Sequence, residues 1–285
     1  AVTRVEVDEG PDKASVALAR EGDGWVVASA GGFAAKTEEV DELLTLLGEI
    51  KLSPTPIATQ AVSHGALGVA AEGYERRVVI AEGSERKTYF FGRSDAGGLN
   101  ARRDGDDAVY AARGATLLDL SAGGGDYIER EYLNVNVGQL DTFSIVTPAG
   151  RIDAQRVGGE RILAGLPEGR VADGEAIGRA AGALANLRIT EPVARDESVF
   201  ASGSTTVSWT GTAESGPFSG SLRIGTADGD YRVIDLEGGP GPGKVWGTSM
   251  SALVDATLDG LSKAAEVVPA EGSAATDAAA LPTIP

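Results

Sequence analysis

The chain of 285 residues contains no cysteine, a single histidine (His64), a single methionine and only 5% aromatic residues. The first absence excludes disulfides, thiolate metal sites and a cysteine nucleophile. One histidine excludes multi-histidine metal centres and leaves His64 as the sole candidate for a histidine relay. Basic residues are scarce: 25 Lys and Arg stand against 42 Asp and Glu, a net charge of −17. Nucleic-acid binding needs clustered cations, so no nucleic-acid partner is expected. No apolar run approaches the roughly 20 residues of a membrane-spanning helix. What the chain does have is 42% hydrophobic residues and 40 glycines, enough for a packed core with many tight turns. Its length allows one large or two medium domains.

The chain begins Ala1-Val2-Thr3, and the alternation in Val2–Val7 already predicts a strand. A missing N-terminal signal or anchor is the expectation drawn from that start. Ala14–Arg20 alternates likewise, and Gly22-Asp23-Gly24 turns the chain into Trp25–Ala28. A helix is expected next. Thr37 reads as its N-cap, Glu38 and Glu39 follow in the first turn, and Val40, Leu43, Leu44, Leu47 and Ile50 form one apolar stripe. Complete burial of that stripe contributes on the order of 8–15 kcal/mol before entropy costs. Pro54 and Pro56 bar further helix. Arg76–Ala81 and Lys87–Gly92 read as strands, Asp104-Gly105 as a turn, and Gly114–Leu120 as a short helix ending before three glycines.

The pattern then restarts. Strands are expected at Thr142–Thr147, Arg151–Ala154 and Arg161–Ala164, then a helix capped by Asp173. Its stripe, Ile177, Ala180, Ala181, Leu184 and Leu187, repeats the first one 137 positions later. Val245-Trp246 and Leu253-Val254-Asp255 repeat Val109-Tyr110 and Leu117-Leu118-Asp119 at an offset of 136. The expectation is an α+β chain of two tandem repeats, residues 1–135 and 136–265. Each would be a mainly antiparallel sheet with one longer and one short helix. Residues 266–285 read as an Ala/Pro-rich tail.

Candidate chemistry is thin. His64 has no partner at catalytic spacing and reads as a loop residue. Asp104–Asp107 and Asp228–Asp230 resemble fragments of calcium loops, but apolar residues and an arginine interrupt the ligand pattern. The Gly238–Gly243 run lacks a Gly-Lys-Ser/Thr ending, and its prolines remove phosphate-binding amides. No catalytic residue, metal site or cofactor is therefore assigned. Candidate partner or ligand contacts are Phe90, Phe91, Tyr110 and Trp246, with Leu281 and Ile284 in the tail.

A family resemblance rests on an ordered series of segments. These are Val2–Val7, Gly22–Val27, the leucine-rich helix, His64-Gly65-Ala66-Leu67-Gly68, Val78-Val79-Ile80, Phe90-Phe91-Gly92-Arg93 and Asp107-Ala108-Val109-Tyr110. The series resembles the bacterial domain of unknown function 4340, across about 1–135 and more faintly across 136–262. Ala70-Ala71-Glu72 departs from it where the family usually has a proline. The resemblance implies an anchored extracytoplasmic protein, often encoded beside ABC-transporter components of the gliding-motility auxiliary type. It carries no catalytic residues across. The leading expectation is thus a non-enzymatic accessory protein whose partners are other protein subunits, those of a membrane complex among them. The alternatives are a glycan- or peptide-binding module using a groove between the repeats, and a hydrolase using paired carboxylates.

Overall fold

The computed structural model describes residues 1–94, 98–201 and 203–265. The tail candidates Leu281 and Ile284 lie outside the described residues. The N-terminal half contains β1 (Arg4–Asp8), β2 (Ser15–Glu21), β3 (Gly24–Val27), β4 (Phe33–Ala35), α1 (Thr37–Glu49) and β5 (Lys51–Leu52). A small hairpin, β6 (Val69–Ala70) and β7 (Gly73–Tyr74), precedes β8 (Arg76–Glu82), β9 (Glu85–Arg93), β10 (Leu99–Arg103) and β11 (Tyr110–Arg113). The C-terminal half begins with β12 (Glu131–Asn134), β13 (Leu140–Thr147), β14 (Gly150–Val157), β15 (Glu160–Leu163), β16 (Arg170–Ala172) and α2 (Gly174–Ala185). It continues through β17 (Asn186–Arg188), β18 (Glu191–Pro192), β19 (Thr205–Ala213), β20 (Gly216–Asp228), β21 (Tyr231–Leu236), β22 (Gly243–Trp246), α3 (Gly247–Val254) and β23 (Ser262–Ala264).

Most of these strands make two large antiparallel sheets, while β6-β7, β12-β17 and β16-β23 pair separately, so the chain is α+β. The nine-stranded sheet runs β4-β3-β2-β1-β8-β9-β10-β11-β5, and the eight-stranded one runs β15-β14-β13-β19-β20-β21-β22-β18. In each, the first strand lies inside the sheet. The chain meanders to one edge, crosses through a helix, and returns down the other side. The meander follows from alternation joined by tight turns. Glu82 pairs with Glu85 around Gly83-Ser84, and Asp228 with Tyr231 around Gly229-Asp230. Gly83 and Gly229 sit at φ 61° and 58°, where a side chain would be strained.

One contiguous cluster of buried apolar side chains runs through both halves, from Val5 and Val7 to Ile234 and Leu253. Its two longer helices are seated differently. The α2 helix begins as the sequence predicts, with Asp173 Oδ1 accepting from the backbone N–H of Glu175 and Ala176. All five stripe residues, Ile177 to Leu187, are completely buried, because alanines let α2 approach its neighbours and α3 packs beside it. The α1 helix departs from expectation. Its N-cap is Lys36, with no side-chain cap, and Thr37 already lies within the helix. Only Val40 and Leu43 are buried, while Leu44, Leu47 and Ile50 are partly exposed at the edge of the core. Its stripe therefore contributes well under the sum expected for full burial.

The short helix expected over Gly114–Leu120 is a turn. Asp119 Oδ2 accepts from both the backbone N–H and the hydroxyl of Thr116, which closes the chain locally in place of helical bonds. The corresponding C-terminal segment does form a helix, α3. No helix among the described residues is long and apolar enough to cross a membrane.

The halves meet along glycines. A Cβ on Gly125 would come within 2.0 Å of the Thr190 carbonyl oxygen, and one on Gly241 within 3.1 Å of the Phe33 ring. The N–H of Gly125 donates to Glu191 Oε2 at 2.8 Å. Burial raises the Glu191 carboxyl above its ordinary range, against the opposing effect of that hydrogen bond.

Two predictions follow from capping and burial. Asp173→Ala should cost about 0.5–2 kcal/mol in urea unfolding, whereas Thr37→Ala should show no loss of a cap. Because the folded state raises the Glu191 pKa, its ionisation favours the unfolded chain. Glu191 is then least costly in acid and most costly above its folded pKa. The stability of Glu191→Gln relative to wild type should accordingly rise as pH climbs from about 4 to about 7, read as the shift in urea midpoint.

Candidate docking groove

The core face of the first sheet continues past the end of α1. Alternation places Val78 and Ile80 of β8, Tyr89 and Phe91 of β9, Ala101 and Arg103 of β10, and Tyr110 and Ala112 of β11 on that face. Val78 and Phe91 lie under cover, but Ile80, Tyr89 and Tyr110 are only partly buried. Together with Leu47, Ile50 and Leu52 they line an open groove of about 320 Å³. Arg103 and Asp106 stand at its rim. Beside it Leu52 is 53% exposed on β5, the terminal strand of the sheet. An apolar groove continuous with an exposed sheet edge is a physically reasonable recognition surface.

The structure sorts the sequence candidates. Tyr110 and Phe91 both reach this groove, Tyr110 as a partly buried wall and Phe91 as its 4%-exposed floor. Phe90 does not. Consecutive strand residues face opposite ways, so Phe90 is buried on the far side in a small core with Val69 and Val109. There Tyr74 lies 5.5 Å from its ring and the Arg102 guanidinium 4.6 Å. Phe90 is thus packing material and not a surface contact. Trp246 lies apart on β22, half-exposed, its ring stacked on Tyr231 at 4.4 Å. The groove anticipated between the halves is, at Gly31 against Ala194, Gly124 against Pro192 and Gly241 against Phe33, a line of direct packing. The apolar groove lies within the N-terminal half instead. Leu47, Ile50 and Leu52 were legible only as helix stripe and exit. Nothing in their spacing distinguishes a stripe fully buried from one left partly open.

The remaining chemical candidates are structural. His64 is buried in a loop, with Nε2 2.9 Å from the carbonyl oxygen of Asp107. Asp104-Gly105 and Asp228-Gly229 form turns, and no cluster of metal-ligating residues occurs among the described residues. Several carboxylates are tied to arginines. Arg156 holds Asp141 below the ordinary carboxylate range, Arg151 does so for Asp153, and Arg223 for Glu197. Such groups stay ionised and cannot serve as proton donors near neutral pH. Asp235 is buried between the guanidinium groups of Arg195 and Arg223, each 2.6 Å away.

No curated protein and no solved structure matches the chain. The family described as domain of unknown function (DUF4340) matches residues 25–206, from β3 to the start of β19. That span crosses from the first sheet into the second and includes α1, β5 and every strand that lines the groove. The leucine-rich helix and the returning strands of the first sheet fall within the matched span, which covers more than half of the chain, and the chain belongs to the DUF4340 family.

Proposed function

We propose that this protein acts through protein–protein contact, as a non-enzymatic accessory subunit of a membrane-associated or surface assembly outside the cytoplasm. The observation that carries the reading is the groove beside β5. It brings half-exposed Leu52 together with partly buried Ile80, Tyr89 and Tyr110, in a chain of net charge −17. Leaving that area exposed to water is unfavourable by about 25 cal/mol per Å² of apolar surface, so a partner that covers it gains that term. The extracytoplasmic setting and the association with an ABC transporter rest on the family resemblance.

We also infer that the two halves are copies of one module, near 1–135 and 136–265. The similar succession of strands outward from β1 and β13, one strand shorter on the meander side in the second sheet, supports this, as do the helix stripes 137 positions apart. A photo-crosslinking residue at position 52 tests the docking reading in native membranes. One discrete adduct is expected from position 52 and none from the exposed turn at position 229. Equal labelling from both positions, or from neither, removes the groove from the proposal.

A second reading is favoured by Trp246. A half-exposed indole stacked on Tyr231 offers a flat apolar face of the kind that sugar rings stack on. Calorimetry with cell-wall glycan fragments separates the two readings. Glycan binding should show heat that Trp246→Ala abolishes, whereas the docking reading expects no heat from either protein.

A further inference from the structure

The two large sheets end alike, at β5 and β18, but the halves treat the chain that leaves the long helix differently. In the C-terminal half, β12 pairs antiparallel with β17, setting Glu131 opposite Arg188 and Leu133 opposite Leu187. The Arg188 guanidinium lies 3.9 Å from the Glu131 carboxylate. Leu187 and Ile189 are buried. Tyr132, on the same added strand, is partly buried against the core, and its hydroxyl donates at 2.5 Å to the carbonyl of Gly241, in the loop between β21 and β22. One extended segment thus covers the chain just past α2 and reaches the loop between the last two strands of the sheet.

The residues 137 positions before Leu187, Arg188 and Ile189 are Ile50, Lys51 and Leu52. Here no strand lies beyond β5 among the described residues. Ile50 is only partly buried, Leu52 is half-exposed, and Lys51 is exposed without an ion pair among the described residues. The loop between β10 and β11, which follows the sheet's second-last described returning strand as the Gly241 loop does, supplies Asp106 to the groove rim. What the C-terminal half fills with a strand and a tyrosine, the N-terminal half leaves as an edge and a groove.

We propose that β5 receives an extended segment of a partner protein as an added antiparallel strand. An acidic side chain of that segment pairs with Lys51, and an aromatic one enters the groove between Leu47, Leu52, Tyr89 and Tyr110. This deepens the docking reading and rests on it. Backbone pairing supplies affinity without regard to sequence, while the acid and the aromatic ring select the partner. An aromatic side chain buries 150–250 Å², which suits an apolar groove of about 320 Å³. Lys51, with Arg113 opposite it on β11, favours an acidic strand, as Arg188 favours Glu131. A helical partner would leave the outer side of β5 without backbone pairing, whereas β17, which follows α2 and lies outside the eight-stranded sheet, takes β12 as a strand.

The test uses the 285-residue chain and a labelled peptide with the sequence of Tyr127–Asn136, which holds the matching place in the other half. Fluorescence anisotropy should show saturable binding. Lys51→Glu and Leu52→Asp should each weaken it about tenfold, with the far-ultraviolet spectrum and unfolding midpoint unchanged because both positions are exposed. A peptide methylated at the alternate backbone nitrogens that face β5 should not bind. Amide protection from hydrogen exchange should appear around residues 50–53. The proposal is overturned if the unmodified peptide fails to bind at millimolar concentration, if both variants bind as wild type does, or if the methylated peptide binds equally well. Should it fail while the crosslink at position 52 persists, the docking reading stands and strand addition is removed. Should both fail, the docking reading goes with it.

Discussion

A β-sheet with one apolar face needs that face covered across its whole width, and most features of this molecule follow from how the requirement is met. A helix of twelve or thirteen residues spans only a few strands. In the C-terminal half α2 shares the work with α3, with alanines at the closest approach, and the stripe is sealed. In the N-terminal half the segment matching α3 is a turn closed by Thr116 and Asp119. The bulkier stripe of α1 covers the meander side and stops short of the returning strands. The groove is the uncovered remainder.

Much of this architecture was legible in the sequence. Alternation and glycine turns gave the strands because period-two burial needs only local residues, and the Asp173 cap was readable because its hydrogen bonds span three positions. The α+β class and the family followed from the order of these segments. Less local outcomes were not readable. Phe90 and Phe91 differ in role because they face opposite sides of one strand, and which side is sealed depends on α1 and on the β6–β7 hairpin. Thr37 failed as a cap because the helix starts one residue earlier. Gly114–Leu120 has the composition of a short helix, but the Thr116–Asp119 hydrogen bonds closed a turn first.

The ion pairs show where the arginines of this acidic chain are spent. They hold carboxylates away from the core, as Arg151 does with Asp153 on β14 and Arg223 of β20 does with Glu197 in the turn before β19. Around Asp235 two of them keep a buried charge partnered, which an isolated carboxylate could not tolerate. Lys51 stands outside this economy of pairs, at the one sheet edge that borders the groove.

The glycine-lined seam between the halves bears on dissection of the chain. Gly125 and Tyr127 belong by sequence to the first half, yet Gly125 abuts Thr190 and Glu191, while the carbonyl of Tyr127 accepts from the N–H of Lys36. The segment they sit on is a clasp gripping both sheets. A cut near residue 135 would hand the clasp to the first fragment and strip the second of β12, leaving Leu187 bare. Ancestry in two modules would not make the present protein divisible into two.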